Sequence, residues 1–229
     1  MLGKAEIAWE RAKIYELLSG VFLKEPSPEI FSLLKKWGTT LDNPQIIRTM
    51  EKIQENDPEL EELTQEYYDL FFVPVSGIFV PPFEAAIRGA QREKGRKTKF
   101  GSYWRQTTVA LSHLYEQIGF VTQDLQMFEP LKAMRIPDHI GLELSAMAYL
   151  CRVEARRYQE GQNSEPIQYL ERILLEEHLN QWLDLFVEDL KEVDRTGFYT
   201  AFASLAAEFC RLEGAELSDT KLLLNSLLT

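Results

Sequence analysis

The sequence predicts an all-α protein folded as one helical-bundle-like domain of about ten helices. Three observations carry this. Apolar residues recur with the 3.6-residue period along most of the chain. Prolines and glycines fall between those stripes rather than inside them. The 229 residues, 45% hydrophobic and 27% charged, suffice for one well-buried core and little more.

Taken in order, the first helix shows Ile7, Ile14, Leu18 and Val21 on one side and stops at Glu25-Pro26-Ser27-Pro28. Asn43-Pro44 and Asp57-Pro58 each place a capping residue before a proline, so helices are predicted to start there. Leu60, Leu63, Tyr67, Leu70 and Phe71 form the next stripe. The run Val73 to Pro82 is interrupted by prolines and reads as an ordered apolar loop rather than a central strand. Leu111, Leu114, Tyr115 and Ile118 mark another helix. A long one follows on Ile140, Leu144, Met147, Cys151, Ala155 and Tyr158. Ser164 caps a further segment, and Leu179, Trp182, Leu183, Phe186, Leu190 and Val193 make one continuous stripe. Gly197 and Gly214 are expected to separate the last three helices, with Ser218 capping the final one. Residues 1–229 are read as a single domain, with an apolar proline-rich loop and a basic connection around 73–105.

Charge excludes several functions. Twenty-five Lys and Arg against 36 Asp and Glu give a net charge of −11, the wrong sign for a nucleic-acid binder or an anionic-membrane binder. The segment 88–105 is the exception, with seven basic residues against Glu93; at +6 it leaves −17 on the rest. It reads as a solvated connection or a contact for an anionic group. Within it Gly89 to Thr98 resembles a phosphate loop, but five residues separate the glycines, Arg96 precedes Lys97, and no strand leads in. The three histidines, His113, His139 and His178, lack metal-pair spacing, and His113 and His178 read as ordinary helix residues. Two cysteines 59 positions apart give no disulfide framework. No leader or bilayer-spanning run is read in the sequence, so a cytoplasmic protein without stable membrane insertion is expected.

Two stretches remain for function. In Ile136-Pro137-Asp138-His139 the Asp138 carboxylate is positioned to accept free N–H groups of the helix that follows. His139 and Glu143, four apart, share a face, and the carboxylate would favour the imidazolium. This is a capped helix start or an acidic corner that grips a cation. The second stretch carries Tyr68, Phe72, Phe79, Pro82 and Phe83, which form a core plug or the wall of a groove for an apolar peptide.

Tyr-x-x-Leu-Phe at 67–71, Pro-Pro-Phe-Glu at 81–84, and Glu129-Pro130 through Pro137-Asp138-His139 to Glu143-Leu144 occur in the order of a known family. They resemble the signatures of the TorD/DmsD/NarJ-type redox-enzyme maturation chaperones, closest to the TorD/DmsD branch. The C-terminal run from His178-Leu179 to Phe209 is also similar. The resemblance implies a cytoplasmic chaperone with no catalytic activity and no cofactor of its own. Its partners would be an apo-molybdoenzyme catalytic subunit and that subunit's twin-arginine leader peptide. The chaperone would assist molybdopterin insertion and prevent premature export. The signal-peptide-binding residues it implies here are Asp138 and His139, with Pro137 and Glu143 of the same motif, and Tyr68, Phe72, Pro82 and Phe83. A monomer or a homodimer is compatible with this family. Two other readings compete: a nucleotide-binding or nucleotide-hydrolysing enzyme with His139 and Glu143 as an acid–base pair, and a static accessory subunit of a reductase complex.

Overall fold

In the computed structural model, residues 3–30, 32 and 60–227 are described, with side chains to residue 217. The helix starts expected at Asn43-Pro44 and Asp57-Pro58 lie outside the described residues. Nine α-helices are bounded within them: α1 (Lys4–Leu23), α2 (Leu60–Phe71), α3 (Glu84–Arg88), α4 (Gln106–Ile118), α5 (Glu129–Met134), α6 (Ile140–Gln159), α7 (Glu165–Ile173), α8 (Asn180–Lys191) and α9 (Phe198–Leu227). A π-helical segment, Leu174–Leu179, joins α7 to α8 without a loop. A further helical turn opens at Pro28, where Ser27 Oγ accepts the Ile30 N–H at 3.3 Å. The described residues hold two isolated β-bridges outside any named strand, so the all-α reading holds.

α1 and α6 form the central pair, and small residues let them approach closely. A Cβ on Gly141 would come within 2.5 Å of Leu23 Cγ and 3.2 Å of the Ser19 carbonyl. Ser19 and Ser145 share a hydroxyl–hydroxyl hydrogen bond of 2.9 Å in the same seam. Around this pair α2, α8 and α9 supply the aromatic core: Tyr67, Phe71, Trp182, Phe186 and Tyr199 pack with Phe22 of α1, all buried. Phe71 and Tyr199 meet edge-to-face at 5.0 Å, the geometry that the ring quadrupoles favour. Each such side chain contributes about 1.5–3 kcal/mol by leaving water.

Most of the predicted stripe residues are buried, but Ile7 and Leu60, near the starts of their helices, are exposed. Ile140, Leu144, Met147, Cys151 and Ala155 of α6 are buried, as are Leu179, Trp182, Leu183, Phe186 and Leu190. The sequence expectation fails at the C-terminus. Gly214 does not break a helix; α9 runs continuously from Phe198 to Leu227, through Ser218. Gly214 is buried, and a Cβ there would lie 3.0 Å from Asn180 Nδ2. The glycine serves a close crossing of α9 over the start of α8, not a turn. Gly197, with φ +74°, does provide the turn before α9.

One ionic cluster ties four helices together at the pole of α1 away from the motifs. Arg11 of α1 pairs with Glu154 of α6 at 2.6 Å, Glu171 of α7 at 2.7 Å, and Glu213 of α9. All three carboxylates are buried. Burial, against the pull of Arg11, pushes the Glu171 carboxyl up to about 7, because desolvation penalises the charged form.

Candidate functional site

The two sequence signatures at 81–84 and 137–143 are sewn together by the backbone. Phe83 and His139 form an antiparallel bridge, in which the Glu84 N–H donates to the Asp138 carbonyl at 2.9 Å and the Ile140 N–H to the Pro82 carbonyl at 3.0 Å. Phe83 stacks edge-on against the His139 ring at 5.1 Å. Prolines at 82 and 137 leave few backbone donors here, and those next to them are used in the bridge.

The side chains finish the join. Asp138 does not cap its own helix. Its Oδ2 accepts the Ala85 N–H at 2.9 Å and the Thr108 hydroxyl at 3.0 Å, in the first turns of α3 and α4. The cap of α6 is His139, whose Nδ1 accepts the Gly141 N–H at 3.1 Å. Burial drives the Asp138 carboxyl up to about 6 against those two hydrogen bonds. Burial also drives the His139 imidazole down to about 3, so the ring is neutral near pH 7, not the imidazolium that its spacing from Glu143 suggested. Glu143 instead accepts the Trp182 indole N–H at 3.2 Å. Its carboxyl is raised by burial and by the neighbouring carboxylates Glu84 and Asp138.

His178, which the sequence left as an ordinary helix residue, completes this knot. It is buried and its Nδ1 meets Glu84 Oε2 at 2.8 Å, while Arg88 takes the other Glu84 oxygen. The widened turn of the π-helical segment carries His178 to that place, a common use of such turns. Tyr115 donates its hydroxyl to the Pro137 carbonyl at 3.2 Å.

The expected acidic mouth is therefore closed. Asp138, His139 and Glu143 have no exposed surface, and Pro137, Pro82 and Phe83 are buried too. The structure brings these residues together, as an internal brace of α3, α4, α6 and α8. Tyr68 and Phe72 are half-buried beside Phe128, with ring centroids 5.7 Å and 4.9 Å from it, and Phe72 also packs against the cluster that holds Phe83.

Phe128 belongs to the strap of residues 125–128 that precedes α5, held to α1 by its own N–H donating to the Leu23 carbonyl at 2.8 Å. Among the described residues it lines a cleft of about 550 Å³ together with Lys24, Glu25, Pro26, Ile30, Thr64, Met127 and Glu129. Tyr68 donates its hydroxyl to Glu25 at the same place. Two carboxylates and one ammonium thus line the cleft beside the Phe128 ring. On the other side of Met127 lies a second cleft, of about 440 Å³, walled by Tyr115, Phe120, Met127, Leu131, Ile136, Pro137 and Leu142. Lys132 and Arg135 stand at its edge. Arg135 ends α5 in the left-handed region, with φ 52°, a conformation that costs a β-carbon-bearing residue about 1–2 kcal/mol.

The basic segment is neither a phosphate loop nor a free connection. Gln91 and Lys99 bridge its two arms. Arg92 forks onto Asp189 at 2.6 and 3.1 Å, and Arg96 pairs with Glu93 at 2.6 Å. Among the described residues no group of His, Cys, Asp and Glu could hold a metal ion. Cys151 and Cys210 are free and buried. No helix of the described residues is long and apolar enough to cross a membrane.

Comparison with known proteins accords with the motifs. The chain is similar to the chaperone protein TorD of Photobacterium profundum, 25% identical over 91% of this chain and 94% of that protein. It is 31% identical to the chlorate reductase assembly chaperone of Ideonella dechloratans, over 36% of this chain and 42% of the relative. It is 29% identical to the selenate reductase assembly chaperone of Thauera selenatis, again over 36% and 42%. No solved structure matches at a comparable level. The family described as nitrate reductase delta subunit matches residues 34–188, a span that includes both interlocked signatures and the strap between the clefts; the chain belongs to this TorD/NarJ-type family.

Proposed function

We propose that this protein is a non-catalytic chaperone of molybdoenzyme maturation. It binds the twin-arginine leader, and through it the apo-catalytic subunit, of a molybdopterin-containing oxidoreductase in the cytoplasm. The observation that carries this reading is the cleft lined by Glu25, Glu129 and Phe128, with Tyr68 and Phe72 packed behind Phe128 and Tyr68 bonded to Glu25. A leader of this kind presents two guanidinium groups ahead of an apolar stretch. Carboxylates pair with the guanidinium fork, and aromatic faces receive cations and apolar side chains alike. A net charge of −11 speeds the encounter with a cationic peptide.

In this reading Tyr68 and Phe72 act directly behind the cleft, by holding Glu25 and Phe128 in place. Asp138, His139, Pro137, Glu143, Pro82 and Phe83 act behind it, by fixing α4, α6 and the start of the strap. The nucleotide-enzyme alternative draws less support, because Arg88, Arg92 and Arg96 already pair with carboxylates within the chain. The buried His139 is poorly placed as an acid–base group. A chaperone releases its client on maturation, whereas an accessory subunit would stay with the finished enzyme.

Calorimetry of the full chain with a synthetic twin-arginine leader and its Arg-Arg→Ala-Ala version tests the reading. Micromolar or tighter binding is expected for the first, and a loss of at least about tenfold for the second, as for lost charged hydrogen bonds. Glu25→Gln with Glu129→Gln should narrow that difference. Equal affinity for both peptides overturns it.

A further inference from the structure

The second cleft differs from the first in charge. Its walls are apolar, from Phe120, Met127, Leu131 and Leu142, but its edge carries Lys132 and Arg135. Neither cation has an ion-pair partner among the described residues. The one carboxylate in the lining, Glu116, is exposed and lies 3.6 Å from His113 on its own helix. A twin-arginine segment would meet two like charges here. An apolar side chain next to a carboxylate would meet a matching wall and two free donors.

Both clefts share Met127. They are neighbouring stations, one with Glu25 and Glu129 beside Lys24, the other with Lys132 and Arg135 beside Glu116. Two isolated small ligands do not require this continuity; one polypeptide crossing the strap at Met127 does.

We infer that the cleft between α4 and α5 is a second client-binding station, which takes an apolar segment flanked by Asp or Glu, distinct from the arginine-bearing leader. This inference rests on the client-binding reading above but uses a different set of side chains. The apolar residue inserts between Phe120 and Leu142, and the adjacent carboxylate pairs with Lys132 and Arg135. Occupation of both stations by one client would join two moderate affinities through a short connection, raising the overall affinity without any new contact.

The test uses the full chain and two labelled decapeptides: one with a Leu-Phe-Leu centre flanked by Asp and Glu, the other with those acids replaced by Lys. Fluorescence anisotropy is read for the wild type and for Lys132→Glu with Arg135→Asp. Aspartate suits the left-handed position, and a thermal melt checks folding. The acidic peptide should bind more tightly than its basic twin, and the double variant should weaken it at least about tenfold while leaving the twin-arginine leader unaffected. Lys132→Arg should keep the acidic peptide bound. Equal binding of the two decapeptides, or an acidic peptide indifferent to the double variant, overturns the inference. A leader that fails to bind the wild type overturns the leader reading instead, and the decapeptide result stands apart from it. Binding of a second copy of this chain, seen as dimerisation abolished by the double variant, would also overturn the assignment to a client.

Discussion

Asp138 and Ala85, 53 positions apart, are joined by a 2.9 Å hydrogen bond from backbone to carboxylate. The most informative acid of the central motif thus points away from its own helix and into the first turn of another. Its bonds place α3 and α4 relative to α6. The oxygen that does this is one an amide can replace. Asp138→Asn should keep both the fold and leader binding near wild-type levels, because its carbonyl oxygen accepts the same two donors. Asp138→Ala strands the Ala85 N–H and the Thr108 hydroxyl and should cost about 1–3 kcal/mol of stability, read by urea unfolding. A large loss of leader affinity in Asp138→Asn with stability intact would mean that the charge itself is in contact with the peptide.

Asp138 and His139 also predict opposite dependences on pH. The folded Asp138 carboxyl is raised to about 6, so its stabilising contribution is fully present below the unfolded value near 3.8 and is lost as pH rises through 6. The folded imidazole of His139 is lowered to about 3, so its contribution is present above about 6.5 and is lost as pH falls toward 3. Asp138→Asn should gain on the wild type by about 1–3 kcal/mol as pH is raised from about 4 to above 6. His139→Asn, which still caps α6, should gain on it as pH is lowered over the same range. Unfolding curves at several pH values read both slopes.

Arg11 is the hub whose loss should hurt most. Arg11→Met leaves Glu154, Glu171 and Glu213 facing one another without a counter-charge and should cost about 3–5 kcal/mol. Acid should partly rescue this variant, since protonation relieves the repulsion. Adding Glu154→Gln, Glu171→Gln and Glu213→Gln to Arg11→Met should recover much of the stability at neutral pH. Calorimetric melting of the single and quadruple variants makes the comparison.

Gly141 and Gly214 should respond differently to the same substitution. Gly141→Ala drives a methyl group into Leu23 at 2.5–2.7 Å within the tightest helix seam, and should destabilise by about 1–3 kcal/mol. Gly214→Ala meets only the amide end of Asn180 at 3.0 Å, which can turn at the expense of its 3.3 Å bond to the Cys210 carbonyl. The gain in helix propensity, about 0.5–1 kcal/mol, should offset that loss. Chemical denaturation of both variants tests the contrast.

What the sequence made legible was whatever a single helix decides by itself. The stripes of α6 and α8 follow from local periodicity, and their residues are buried as read. Gly214 misled because glycine has the same local signature whether it ends a helix or lets another pass close by. Asp138 misled because the nearest free N–H groups in sequence were not the nearest in space. Arg11 carried a faint signal: Glu154 follows Cys151 on the buried face of α6 and needs a cation, but the partner lies 143 residues away. Tyr68 and Phe72 were identified as aromatic surface beyond what packing needs. Phe128, which packs on both and itself lines the cleft, has no motif of its own.

The widened turn at Leu174–Leu179 has one more consequence. In a regular helix Glu171, His178 and Trp182 would fall on a single stripe, at steps of about 100° per residue. The slower winding of this segment lets Glu171 face Arg11 while His178 and Trp182 face Glu84 and Glu143. One uninterrupted rod is thereby keyed to two unrelated neighbours. Removing one residue between Ile173 and His178 would return the turn to regular winding with His178 and Trp182 near their present bearings, whereas adding one would swing them about 100° off their partners.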